Sequence, residues 1–252
     1  MVRYFLTLSY NGTPFHGWQR QPNAVSVQQT LEEALSTLLR KELSVVAAGR
    51  TDTGVHARTM VVHFEATLTE EKENNLVHLL NRYLDENIAI HKLARVQADA
   101  HARFDALSRT YEYHIVKGKN PFQQNLAYAY PHTLDVAYMN QGAAMLLSHE
   151  DFECFSKVHT DVKTFLCDIT SAVWEETADG YVFTISANRF LRNMVRAIVG
   201  TLLDLGRHKI TLEDLKAILE SKNRSKAGFS VPAFGLYLTE IDYPQNIYCS
   251  YG

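Results

Sequence analysis

The sequence predicts an α+β protein with antiparallel sheets. Apolar residues alternate over short runs in both halves of the chain, which is typical of strands. Amphipathic helices separate some of these runs, but without the strict strand–helix–strand alternation of a parallel sheet. A chain of 252 residues can form two small domains. We place them at residues 1–104 and 105–252, each mixing several strands with helices.

The first half is expected to begin with a strand over residues 2–10, in which Tyr4 and Leu6 lie on one face. Ser26 and Gln29 have the spacing of a capping box, which predicts a helix that runs to about residue 41. The remaining elements of this half are predicted as strands over 44–48, 59–66 and 88–97, a helix over 69–84, and a turn at 52–54.

The second half repeats this rhythm of elements. Its strands are predicted over 109–117, 164–175, 181–187 and 235–243, and its helices over 135–147, 190–205 and 211–221. The helix over 190–205 is apolar around most of its circumference, which indicates burial, and Gly206 follows it in the usual C′ position. Arg192 and Arg196 lie one turn apart on this helix. Because a buried guanidinium needs a partner, Asp52 is the candidate partner of Arg196, with Asp204 as the alternative.

The composition excludes several classes of protein. The three cysteines lack C-x-x-C spacing and the eleven histidines lack metal-ligand spacing, so neither a disulfide framework nor a metal site is expected. No run approaches the roughly 20 apolar residues of a membrane helix, and the N-terminus is too polar for a signal peptide. We therefore expect a cytoplasmic protein. The net charge of −3 counts weakly against a nucleic-acid partner, since RNA responds to local basic patches.

The segment with the clearest chemical pattern runs from Ala47 to Arg58 and has the sequence A-A-G-R-T-D-T-G-V-H-A-R. Arg50 precedes Asp52 by two residues and Arg58 follows it by six, and nearby guanidinium groups keep a carboxylate ionised. Gly54 permits a tight turn just past the aspartate. An ionised carboxylate held in a rigid turn suits a nucleophile. The alternative is an aspartate that only stabilises its turn, with surface arginines on either side.

The full string is more specific than its parts. Residues 49–57 closely resemble G-R-T-D-A-G-V-H-A, the catalytic signature of the tRNA pseudouridine synthase A family, with Thr53 in place of the usual alanine. Further similarity covers essentially the whole chain, with Ala100 where the family has phenylalanine. It includes residues 10–21 with 26–28, His101–Phe104 with Arg109–Tyr113, Asp151–Phe152 with Phe155–Ser156, Asn188–Arg196 with Val199–Gly200, and Gly235–Leu238.

This resemblance implies a pseudouridine synthase fold, in which two similar subdomains are joined around a central active-site cleft. The implied activity is isomerisation of uridine to pseudouridine in the anticodon stem-loop of tRNA, at positions 38, 39 and 40, by a homodimer without a cofactor. Asp52 would be the nucleophile. Residues implied to contact the substrate uridine are Tyr111, which would stack on the uracil, Leu236, which would line its pocket, Arg50 and Arg196. Candidate phosphate contacts are Arg20, Arg58, Arg103, Arg189 and Arg192.

Two other functions are compatible with parts of the sequence. The tripeptide Asp52-Thr53-Gly54 is that of an aspartic protease, but such an enzyme needs two aspartates that share one proton. The sequence contains no second D-[ST]-G, and Arg50 would oppose the shared proton. A non-catalytic RNA-binding protein is the other alternative, although it would not need Asp52 between arginines.

Overall fold

The computed structural model describes residues 1–157 and 163–249. Its mixture of helices and mainly antiparallel strands confirms the α+β class. In chain order the strands are β1 (Val2–Tyr10), β2 (Val46–Ala47), β3 (His56–Ala66), β4 (Ile88–Arg95), β5 (Ser108–Val116), β6 (Tyr128–Ala129), β7 (Ile169–Glu176), β8 (Gly180–Ala187) and β9 (Leu236–Asp242). The helices are α1 (Val27–Leu39), α2 (Glu70–Tyr83), α3 (Val136–Leu146), α4 (Met194–Gly206) and α5 (Leu212–Glu220).

The chain forms two compact units, which are Met1–Leu107 with Leu238–Gly252, and Ser108–Tyr237. The expected division at residue 104 kept the whole C-terminal part with the second half. In the structure, residues 238–249 group with the first unit instead, because Asp242, Ile247 and Cys249 form backbone hydrogen bonds with Leu107, Gln97 and Arg95. Hydrophobic periodicity indicates a strand at this point but not the sheet that the strand joins.

The first unit is built around β1, which pairs antiparallel with β3 on one side and with β4 on the other. Tyr4 lies opposite Phe64 of β3 and Arg95 of β4, and its ring is fully buried. Ser26 caps α1 as predicted, since its hydroxyl accepts the Gln29 N–H at 3.2 Å. The other half of the predicted capping box is wrong, because the Gln29 amide donates to Glu33 at 2.9 Å instead.

The second unit contains the antiparallel set β5–β8–β7, with Tyr113 opposite Phe183 and Phe183 opposite Trp174. These three rings are buried. The strand predicted over 164–175 begins later, at Ile169, because residues 165–167 form backbone hydrogen bonds with residues 150–152.

The prediction for α4 was wrong at both ends. The helix begins at Met194 rather than at residue 190, and Gly206 is its last residue rather than its C′ residue. Asn193 has a φ of 66°, which is left-handed, and an L-residue in this conformation interrupts a right-handed helix. Arg192 therefore lies before the helix, whereas Arg196 lies in its first turn. Across the described ranges, 1–157 and 163–249, no helix is long and apolar enough to span a bilayer.

Candidate active site

The Asp52 loop, residues 48–55, connects β2 with β3 in the first unit. A turn closes it where the Val55 N–H donates to the Asp52 carbonyl at 3.1 Å. Gly54 has a φ of 79°, a conformation that glycine adopts without a steric penalty. The predicted tight turn is therefore confirmed. Asp52 is half-exposed in this turn, whereas Thr51 and Val55 on either side are buried.

Residues 10–18 hold this loop from one side. The Trp18 N–H donates to the Thr51 carbonyl at 3.1 Å. The hydroxyl groups of Tyr10 and Thr51 are hydrogen-bonded at 2.8 Å, and both residues are buried. Trp18 is only 2% exposed and its ring lies 6.0 Å from that of Tyr10. Contacts to both the backbone and the side chain of Thr51 therefore fix the residue that precedes Asp52.

Two glycines allow residues 10–18 to approach the loop closely. A Cβ on Gly12 would lie 2.1 Å from the Val55 carbonyl oxygen, and one on Gly17 would lie 2.7 Å from that of Thr51. Gly17 also has a φ of 85°. The Gly12 N–H donates to Nδ1 of the buried His56 at 3.0 Å. A larger residue at either glycine would have to push the two segments apart.

The arginines of the first unit do not share one location. Arg50 lies in the Asp52 loop and Arg58 follows it on β3, and both are exposed. Arg20 is exposed and its guanidinium lies 3.5 Å from the Glu32 carboxylate on α1. Arg103 follows Ala102, whose N–H donates to His63 at 3.0 Å. Since His63 is seven residues beyond His56 on β3, Arg103 lies roughly 20 Å along the strand from the loop.

In the second unit, Tyr111 lies on β5 opposite Ile185 and is half-buried. The edge of one ring meets the face of the other between Tyr111 and Phe190, with centroids 5.1 Å apart. Leu236 begins β9 and is 6% exposed. The remaining two candidates precede α4, where Arg189 is half-buried and Arg192 is exposed.

Arg196 is held by a segment that is distant in sequence. Its Nε donates to the Val231 carbonyl at 2.7 Å, and the Val231 N–H donates to the Arg196 carbonyl at 3.2 Å. Ser230, next to Val231, accepts hydrogen bonds from Arg224 at 2.8 Å and from Asn193 at 2.6 Å. Sequence analysis missed Arg224 and Ser230, because no local pattern shows which helix their segment packs against.

A family model described as tRNA pseudouridine synthase matches residues 7–105 and 143–244. These ranges cover well over half of the chain. The chain belongs to the tRNA pseudouridine synthase family.

Curated relatives extend this family assignment over the full length. The chain is 51% identical over 251 residues to the tRNA pseudouridine synthase A of Porphyromonas gingivalis, with 98% of this chain and 100% of the relative covered. It is 50% identical over 251 residues to that of Parabacteroides distasonis, with 98% of each covered. The protein of the same name from Bacillus subtilis is 40% identical over 247 residues, with 96% of this chain and 99% of the relative covered.

The match to the family model includes Asp52, Arg196 and Leu236, whereas Tyr111 lies between the two matched ranges. Cysteine is another residue type that serves as a nucleophile in many enzymes. Burial raises the pKa of Cys154 to about 12 and that of Cys167 to about 11. Both thiols therefore stay protonated at neutral pH, and a protonated thiol is a poor nucleophile.

Proposed function

We propose that this protein isomerises uridine to pseudouridine in tRNA and that Asp52 is its nucleophile. The observation that carries the role of Asp52 is the turn that holds it, in which the half-exposed Asp52 follows the buried Thr51 and its carbonyl accepts the N–H of the buried Val55. The activity is supported by membership of the family and by full-length relatives named tRNA pseudouridine synthase A. Only Asp52 of the D-T-G tripeptide has a role in this proposal, and no second aspartate is required.

The reaction breaks the N1–C1′ bond of uridine, rotates the uracil, and joins C5 to C1′. The proton lost from C5 is balanced by one gained at N1, so the reaction is an isomerisation without net oxidation or reduction. Asp52 attacks either C1′ of the ribose or C6 of the base, and both routes use its carboxylate as a nucleophile. The target uridine must leave its helical stack, which costs a few kcal/mol.

The substrate contacts are assigned by residue type and position. Tyr111 stacks on the uracil, an interaction worth roughly 1–3 kcal/mol per base, and its half-buried ring is already supported by Phe190. Leu236 supplies an apolar wall at the start of β9. Arg50 and Arg196 provide positive charge for the carboxylate and the substrate, and the backbone of Val231 holds the Arg196 side chain.

The remaining arginines bind the phosphates of tRNA. With a net charge of −3, the protein needs individual basic side chains that reach the phosphates of a polyanion. This set consists of Arg20, Arg58, Arg103, Arg189 and Arg192. The proposed target is the anticodon stem-loop at positions 38, 39 and 40. We propose that the enzyme acts in the cytoplasm as a homodimer.

The test compares wild type, Asp52→Asn and Asp85→Asn on unmodified tRNA, with pseudouridine as the product measured. Asp85 is an exposed aspartate whose carboxylate accepts the Asn87 N–H at 2.8 Å, so it does only what a turn-stabilising aspartate does. We expect Asp52→Asn to abolish turnover while the fold and tRNA affinity persist, because an amide is isosteric but not nucleophilic. Asp85→Asn should keep wild-type activity.

Turnover of Asp52→Asn within about tenfold of wild type would show that Asp52 is not the nucleophile. A wild-type protein that binds tRNA without forming pseudouridine would favour the non-catalytic RNA-binding alternative.

A further inference from the structure

We propose that Tyr10 is a positioning residue for the reaction, and that its hydroxyl acts through Thr51 to fix the backbone of Asp52. This proposal rests on the proposed role of Asp52 as the nucleophile. It assigns to the end of β1 a function in rate rather than in substrate binding.

The backbone and the side chain of Tyr10 have little conformational freedom. Its backbone lies in the sheet, opposite Ala57 of β3 and Ile88 of β4. The residue is only 4% exposed and its ring packs beside that of Trp18. Because the strand fixes the backbone and the Trp18 ring and burial confine the side chain, the hydroxyl is held at one place in the unit.

Thr51 transmits this constraint from Tyr10 to Asp52. Thr51 is 8% exposed and its hydroxyl lies 2.8 Å from that of Tyr10, so solvent competes little for the contact. Its carbonyl accepts the Trp18 N–H, and the next carbonyl, that of Asp52, accepts the Val55 N–H. The backbone of Asp52 is therefore fixed from both directions, and the Tyr10 hydroxyl is the one side-chain group that we assign to this task.

A small displacement of Asp52 should lower the rate of the reaction. A nucleophile must reach a single carbon atom of the nucleotide, and a misplacement of about 1 Å can cost about 100-fold in rate. Removal of the phenol oxygen leaves a buried threonine hydroxyl without that partner, which favours other positions of the loop. The residues assigned to tRNA binding are not changed. The loss should therefore appear in the chemical step and not in affinity.

The experiment measures single-turnover rate at saturating unmodified tRNA, tRNA affinity and melting temperature for four variants. They are Tyr10→Phe, Thr51→Val, the double variant and Thr51→Ser. Tyr4→Phe is the matched control, because Tyr4 lies on the same strand, is fully buried and donates its hydroxyl to Glu73 of α2 at 3.1 Å. Both tyrosine variants lose one buried hydroxyl, but only Tyr10 is bonded to the Asp52 loop.

We expect Tyr10→Phe and Thr51→Val each to lower the rate by about tenfold to 100-fold, with tRNA affinity within about twofold of wild type. The double variant should be no slower than the slower single variant, since both remove the same contact. Thr51→Ser keeps the hydroxyl and should retain most of the rate. Tyr4→Phe should lower the melting temperature but leave the rate unchanged.

A Tyr10→Phe rate within about twofold of wild type would overturn the proposal, as would additive losses in the double variant. Equal rate losses in Tyr4→Phe and Tyr10→Phe would also overturn it, because both would then reflect general destabilisation. These outcomes are distinct from a failure of the proposed function. That failure would show as full turnover by Asp52→Asn or as no pseudouridine from the wild type.

Discussion

The Asp52 loop and the first turn of α4 are both held by a second segment of the chain, but through different groups. At Asp52 the holding contacts are made by the backbone and by the neighbouring Thr51. At Arg196 the side chain itself takes part, because its Nε donates to the Val231 carbonyl. The first arrangement positions a carboxylate through the chain that carries it. The second uses one donor of a guanidinium, the Arg196 Nε, to orient the side chain, so that the terminal nitrogens can make other contacts.

The two regions should therefore respond differently to substitution. A change at Arg196 removes charge and an orienting hydrogen bond together, so it should affect stability and rate at once. A change around Asp52 moves the backbone while the carboxylate remains, so the damage should depend on how far the loop is displaced.

Among the substitutions that test this comparison, the largest effect is expected for Arg196→Ala. A hydrogen bond made by a charged group contributes about 1.5–3 kcal/mol, so the free energy of unfolding should fall by about that amount. Turnover should fall by about 100-fold or more, because loss of one preorganised charged donor typically costs that much. Urea denaturation and single-turnover kinetics measure the two quantities.

Lys216→Ala is a suitable control, since Lys216 is 68% exposed and lies 3.9 Å from Glu220; such a surface pair contributes little. Unchanged stability and rate in Arg196→Ala would show that Arg196 is not part of the active site. The contrast between the Asp52 loop and the first turn of α4 would then not hold.

A smaller effect is expected for Gly17→Ala. The new methyl group would meet the Thr51 carbonyl oxygen at 2.7 Å, and the residue would have to keep a φ of 85°. Backbone strain of this kind costs about 1–3 kcal/mol, and the displaced loop should also lower the rate. Thermal unfolding and turnover are measured beside Gly49→Ala, whose Cβ would have no atom within 4 Å. Similar results for the two variants would mean that close packing of residues 10–18 does not hold the loop.

The smallest effect is expected for Arg58→Ala, because this exposed residue of β3 is assigned to a phosphate of tRNA and not to the chemistry. Affinity for tRNA should become less dependent on salt, with the log–log slope reduced by about 0.7–0.9 for one lost phosphate contact. The modified uridine should stay the same, since phosphate contacts position an RNA without reading its sequence. A salt titration of tRNA binding tests this, with Arg82→Ala as the control, because Arg82 is an exposed residue of α2.

Tyr111→Ala extends the same titration. It should lower the rate more than the affinity, because its ring is assigned to the uracil alone. A larger loss of affinity than of rate in Tyr111→Ala would contradict the separation between residues that bind tRNA and residues that act on the base.

The difference between the Asp52 loop and the start of α4 also explains which features the sequence could predict. The Asp52 loop is contiguous, and its turn depends on Gly54 within the same string, so local signals were sufficient. The start of α4 was mispredicted because Asn193 adopts a left-handed conformation while its amide bonds Ser230, 37 residues later. Apolar periodicity continues through residues 190–193 and carries no sign of that contact. Arg103 was grouped with the other arginines by residue type alone, and only the fold shows its distance from the loop.

Because strand β9 comes late in the chain, the first unit cannot be completed until most of the protein has been synthesised. This strand pairs with β3, which continues directly from the Asp52 loop, but residues 108–235 separate it from the first part of the unit, Met1–Leu107. A ribosome must complete all of that intervening segment before the sheet beside the Asp52 loop can acquire this strand. Although β2 pairs with β3 at Val62 and His63, the part of β3 that β9 later covers stays unpaired for most of the synthesis of the chain, and such edges promote aggregation. A product that stops before Leu236 contains every residue of the Asp52 loop and still lacks the strand that completes its sheet.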